Sequence, residues 1–201
     1  MKRFVGCLLG VVLVASAARA TTLIPLDLDE LARHADAIVV ARCDEIASGR
    51  MERQGARAEG PLVFRTQARF TRLDAWKGEP PAELKVVQPG GRDGRYSALV
   101  PGGAAFDVGG ESVLFLQDFR DGTWGVIGLF QGKLDLVHGA SGELRVSRAA
   151  GLTESGDATP AGSGAIELLR LRDVGDDGSV SIDSFHEQVQ AAVARAKGGA
   201  R

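Results

Sequence analysis

The sequence predicts a mainly β protein: an antiparallel barrel or rolled sheet, with a short N-terminal helix and a C-terminal helix. Three observations predict it. The stretch "LVFRTQARF" (62–70) alternates with period two, which is the mark of a strand with one wet face. At least five β-rich runs are separated by Gly, Pro and Asp clusters that suit turns. Only two stretches carry helical spacing, one near each end of the chain.

The first twenty residues stand apart from that pattern. Met1-Lys2-Arg3, an apolar run over 4–17 and Ala18-Arg19-Ala20 have the form of a secretory signal peptide cleaved after Ala20. The run is too short to span a bilayer as a helix, and no second one follows, so no membrane insertion is expected after cleavage. Cleavage removes three basic residues and no acid. It leaves 21 basic residues against 26 acidic ones, a net charge of −5, which argues against nucleic acid as a partner. Cys43 alone remains, so no internal disulfide can form and an ordinary core must hold the chain. The expected location is secreted or periplasmic.

"LDLDELARHAD" (26–36) opens with acids and places Leu28, Leu31, Ala32 and Ala35 on one helical face. "AIVVARCDEI" (37–46) follows as a strand, and "SGRMERQGARAEG" (48–60) reads as a polar hairpin loop. In the next strand Leu62, Phe64, Ala68 and Phe70 are expected to face the core, with Val63, Arg65, Gln67 and Arg69 on the other face. "WKGEPP" (76–81) turns the chain into the strand "ELKVVQ" (83–88). Seven glycines mark 90–110 as a long surface loop, with room for a short strand near Tyr96. "SVLFLQDF" (112–119) and "TWGVIGLF" (123–130) read as a hairpin, and "KLDLVH" and "ELRVSR" as a further pair. Residues 151–165 have linker composition. They divide a β domain over 21–150 from a C-terminal segment over 166–201, whose helix spans about 184–197 with a Ser184/Glu187 capping box. Closing such a sheet into an OB-like barrel would remove its free edges.

Four patterns suggest chemistry. "GLFQGK" (128–133) resembles a phosphate loop, but its glycines are one residue too close and Leu134 replaces the Mg²⁺-binding hydroxyl. Gln131 and Gly132 are read instead as a hairpin turn, with positive φ at Gly132 and Lys133 on the solvent face. "DVGDDGSVSIDS" (173–184) offers Asp173 and Asp177 at calcium-loop positions one and five, but Gly175 and Ser184 stand where ligands are needed. It is read as an Asp/Gly turn. His34, His138 and His186 have no ligand spacing, and Cys43 has no base beside it in sequence. Trp76 and Trp124 read as core or barrel-rim residues. No cofactor is implied.

"LDELARHADAIVVARCDEI", "FRTQARFTRLDAWKGEPPAELKVVQPGG", "VPGGAAFDVGGESVLFLQDF" and "WGVIGLFQGKLDLV" together resemble a family of uncharacterised secreted bacterial proteins. That family shares an "ADAIVVG" strand, a "KG" turn, a "PGG" loop and a "GxxQGK" turn, and the resemblance covers about residues 22–138. More distantly the order is similar to netrin-like domains, including the tissue inhibitors of metalloproteases, which implies an OB-like barrel. Those inhibitors chelate zinc through an N-terminal cysteine. Here the mature start would be Thr21-Thr22, so that mechanism is not implied. The expectation is an exported, non-enzymatic protein that binds a protein or cell-envelope component, in its most concrete form acting on or with a secreted protease. Its contact residues are expected on the long loop, at Arg92, Asp93, Arg95 and Tyr96. A secreted hydrolase with acidic loop residues and a calcium-dependent interaction module are the alternatives.

Overall fold

The computed structural model describes residues 24–51, 62–139, 141–148, 151–152, 158–159 and 169–198. The expected signal peptide lies outside them. In chain order the elements are α1 (Leu28–His34), β1 (Ala37–Met51), β2 (Val63–Lys77), β3 (Glu83–Pro89), β4 (Gly91–Asp93) and β5 (Tyr96–Ala98). They continue with β6 (Glu111–Asp118), β7 (Trp124–Val126), a 3₁₀ turn (Leu129–Gly132), β8 (Lys133–His138) and β9 (Leu144–Arg148). β10 (Gly151–Leu152), β11 (Ala158–Thr159), β12 (Val180–Ser181) and α2 (Ile182–Gly198) complete the order.

Five strands close a ring in the order β1-β2-β3-β7-β6 and back to β1. β1 makes this possible by pairing with β2 along one edge and with β6, from Ala37↔Leu116 to Arg42↔Glu111, along the other. Three register shifts along the β1–β2 ladder bend these long strands, as bulges do where a sheet must curl. The ring is antiparallel except at one seam, where β3 and β7 pair in parallel at Val86↔Trp124. Beyond the ring, β6 also pairs with β8, and the sheet extends through β9 to β12.

The apolar runs of β1 and β6 are continuous because both faces of these strands are buried. Ala37, Val39, Ala41 and Cys43 point into the barrel with Ala68, Phe70, Leu84, Val86, Leu114 and Leu116. Ile38, Val40, Val113 and Phe115 point out into a second core, completed by Leu28 and Leu31 of α1 and Phe185 and Val189 of α2. The C-terminal helix therefore fills the same core as the N-terminal one and is not an appended segment. Within the expected linker, β10 pairs with β11, and the other residues of 151–165 lie outside those described.

α1 starts at Asp27, whose carboxylate accepts from the Glu30 amide at 2.9 Å while Glu30 accepts from the Asp27 amide at 3.3 Å. It ends at the Lys77 ammonium, which donates to the carbonyls of Ala32 (2.8 Å) and Ala35. Trp76, one residue earlier, is buried in the helix-side core and stacks on His186 of α2 at 4.6 Å. "WKG" is thus the stitch between sheet and helices. α2 begins two residues before the expected start: Ser181 accepts from the Ser184 amide at 3.3 Å, so Ser181, not Ser184, is the cap.

Three strand expectations are corrected. β1 and β2 run on to Met51 and from Val63 as a ribbon, so part of the expected 48–60 loop is strand. Phe70 is 1% exposed in the barrel, but Leu62 is 56% exposed, and Phe64 is half-buried beneath the Arg50 guanidinium, because the ribbon projects past the barrel core. "TWGVIGLF" is a strand only over Trp124–Val126. It then kinks, so that β7 and β8 lie in succession along the same edge of β6.

Candidate functional site

The long loop after β3 contains a second ribbon. β4 and β5 pair as Gly91↔Ala98, Arg92↔Ser97 and Asp93↔Tyr96, and a two-residue turn joins them. This small hairpin is seated on the end of the β1–β2 ribbon. A side chain at Gly91 would meet the Arg65 carbonyl at 2.6 Å and Ser48 Oγ at 2.7 Å, so glycine is what allows the approach. Ser48 Oγ accepts from the Arg92 amide at 2.7 Å, and Thr66 donates to the Gly90 carbonyl at 3.0 Å. Farther along the loop, Gln88 fixes Ala104 at two points: its Nε2 donates to the Ala104 carbonyl (2.8 Å) and its Oε1 accepts from the Ala104 amide (3.0 Å). A glutamine amide does here what a neighbouring strand would do.

The four expected contact residues come together on this hairpin. Arg92, Asp93, Arg95 and Tyr96 are all exposed, and the Tyr96 side is 50% exposed. The Arg50 guanidinium lies 5.0 Å from the Tyr96 ring centroid and 5.2 Å from that of Phe64, and Arg95 lies 5.1 Å from Tyr96. Arg95 Nη2 also donates to the Tyr96 hydroxyl at 3.1 Å, and Arg50 Nε is 3.7 Å from Asp93. Three arginines against one aspartate make a basic, aromatic surface on an acidic chain. Sequence reasoning missed Arg50 and Phe64: Arg50 fell in an expected loop, and Phe64 in an expected core. Ribbon register, which period two does not carry past the barrel, is what joins them.

"GLFQGK" has a structural use. Leu129–Gly132 form a 3₁₀ turn, and the left-handed residues are Gly128 (φ 63°) and Leu129 (φ 61°), not Gly132. Gly132 is required for space instead, since a Cβ would lie 2.5 Å from the Ile127 carbonyl. Gln131 is buried and clamps the N-terminal segment: its Oε1 accepts from the Leu26 amide (2.8 Å) and its Nε2 donates to the Ile24 carbonyl (3.1 Å). Lys133 is not on the solvent face. It is 2% exposed and ion-paired with Asp135, which also accepts from Ser112 Oγ at 3.0 Å. These groups and Cys43 line a cavity of about 20 Å³, together with Phe106 edge-on to Phe70 at 5.5 Å; it has room for about one water. Burial, reinforced by Asp44, pushes the Cys43 thiol up, so it is held protonated rather than activated.

Asp173 and Asp177 lie in a turn between Leu169 and β12. Asp177 accepts from the Ser179 amide (3.0 Å) and hydroxyl (2.7 Å), and Asp173 accepts from Ser184 Oγ at 3.0 Å. The hydrogen bonds from Ser179 hold the Asp177 carboxyl below its ordinary range. Among the described residues, no group of three or more His, Cys, Asp or Glu side chains is arranged to hold a metal ion. The outer face of β1–β2–β3 carries an open polar groove of about 220 Å³ lined by Glu45, Ala47, Gln67, Arg69 and Lys85, with Glu45 and Arg69 paired across the strands. No helix among the described residues is long and apolar enough to cross a membrane.

The fold defines the class: a mainly β chain with a five-stranded ring and a helical layer over one side, presenting a basic ribbon at its end. No protein-family model matches the chain, and no curated protein matches it in sequence.

Proposed function

We propose that the chain is an exported, non-enzymatic interaction protein that binds another protein through the surface around Tyr96. One observation carries this reading: an exposed tyrosine is flanked by two guanidinium groups at 5.0 and 5.1 Å on a hairpin anchored to the β1–β2 ribbon. Tyrosine and arginine are the side chains most enriched where a few residues dominate protein–protein affinity. Anchoring through Gly91, Ser48 and Thr66 reduces the ordering cost of binding. Action on or with a secreted protease is the most concrete version, by analogy with the netrin-like inhibitors and by a route other than a zinc-chelating cysteine.

The test is capture from the periplasmic or culture fraction of the producing cell with wild-type protein and with Tyr96→Ala. A specific partner retained by the wild type and lost by the folded variant supports the reading. Equal capture by both variants, or measurable hydrolase activity in the wild type, overturns it.

A further inference from the structure

Resting on that reading, we infer that the partner presents an extended, acidic peptide segment, which adds as a third strand to the outer edge of β5. The argument starts from hydrogen-bond alternation. Asp93 and Tyr96 flank the two-residue turn, so the next pair, Arg92 and Ser97, turns its amides away from the ribbon. On the β4 side this is visible, because the Arg92 amide donates outward to Ser48 Oγ. By the same alternation, the Ser97 amide and carbonyl face outward from β5. No strand among the described residues pairs with that edge, and Tyr96, Ser97 and Ala98 are all exposed.

A free edge offers a donor and an acceptor to another backbone, which is the chemistry of a peptide and not of a glycan or lipid headgroup. The side chains around the edge then select which peptide. Arg95 and Arg50 stand over Tyr96, with Arg50 also 3.7 Å from Asp93, and Arg92 lies across the ribbon from Ser97 with no ion pair to a side chain among the described residues. Guanidinium groups repel a basic strand, including a second copy of this edge, and pair with carboxylates through planar donors. The negative charge of the whole chain disfavours a broad anionic surface such as a membrane and leaves a short acidic segment as the fitting occupant. Strand geometry sends alternate side chains to one face, so the segment carries acids at every second position.

The experiment uses the purified protein and a fluorescent eight-residue peptide alternating Glu with Thr. The comparison probes are the same peptide N-methylated on alternate amides, a Gln-for-Glu version, and vesicles of phosphatidylcholine mixed with the anionic lipid phosphatidylglycerol. The expected result is saturable binding of the acidic peptide, weakened about tenfold by N-methylation through loss of backbone pairing. Arg95→Ala and Arg50→Ala should each weaken it about fivefold, the size of one exposed charged pair, Arg95→Ala at unchanged thermal stability and Arg50→Ala with the small loss that uncovering Phe64 brings. Equal binding of the N-methylated peptide, equal binding of the Gln version, or stronger binding to vesicles than to peptide would overturn the inference. If the peptide fails to bind while Tyr96→Ala still abolishes partner capture, the acidic-strand inference falls and the interaction surface stands. If Tyr96→Ala also leaves capture intact, both fall.

Discussion

Lys133 and Asp135 sit two residues apart on β8, and the buried ammonium has one carboxylate as its ion-pair partner. Removing it leaves the Asp135 carboxylate, 32% exposed and still accepting from Ser112 Oγ, without its ion-pair partner, and a pair broken on one side is costly. Lys133→Ala should therefore lower stability by about 1–3 kcal/mol in urea melts, the low end reflecting the partial exposure of Asp135. Gly132→Ala should cost about 1–3 kcal/mol through overpacking against the Ile127 carbonyl, although φ at Gly132 is unexceptional. Cys43 is 2% exposed, and its thiol is held up by burial. Ellman's reagent should react with it only at the rate of unfolding, and rapid stoichiometric reaction of native protein would contradict this burial. Spacing around "GLFQGK" excluded the phosphate loop, but neither the burial of Lys133 nor the Gln131 clamp was legible. Both depend on groups far away in sequence, at Asp135's neighbour Ser112 and at Ile24 and Leu26.

At the scale of the element, the β1–β2 ribbon serves two purposes along its length. Its barrel half places Phe70 in the core, and its projecting half places Phe64 under Arg50. Phe70→Ala should cost about 3–5 kcal/mol, the usual range for a buried phenylalanine, and Phe64→Ala about 1 kcal/mol. Equal losses in denaturant melts would place Phe64 in the barrel after all. Period two in "LVFRTQARF" matches the burial only over 68–70, where Ala68 and Phe70 are buried and Arg69 is not; Leu62 is exposed and residues 63–67 are all half-buried. It could not say where the barrel ends, because alternation is local whereas closure is set by pairing partners. The "AIVVA" and "VLFL" runs were recognisable as strands, but their double burial depends on α2, which returns from the far end of the chain to cover them. The capping box of α1 was read only as acids before a helix, and the ribbon within 90–110 only as a short strand near Tyr96. In that loop, glycines conceal the alternation that marks longer strands.

Across the whole molecule, charge and fold combine to set the response to pH. Asp44, Asp121, Glu143 and Asp177 each accept a side-chain hydrogen bond, chiefly from Thr71, Thr123, Ser141 and Ser179, and each is held below its ordinary pKa. A depressed carboxylate contributes stability above its unfolded-state pKa and loses it as pH falls through the folded value. Stability should therefore drop below about pH 4, and Asp177→Asn should make that drop shallower in urea melts at stepped pH. Lys77 acts with the same sign in a higher window. Burial lowers its pKa, the unfolded chain binds the proton more tightly, and stability rises as pH climbs from the lowered value toward the ordinary lysine range.

The proposed interaction surface is tested most directly by amide hydrogen exchange of the protein with and without its captured partner. Protection concentrated on 91–98, with the amide of Ser97 among the most slowed, is the expected result. Protection confined to the groove around Glu45, Arg69 and Lys85, with 91–98 unchanged, would contradict it.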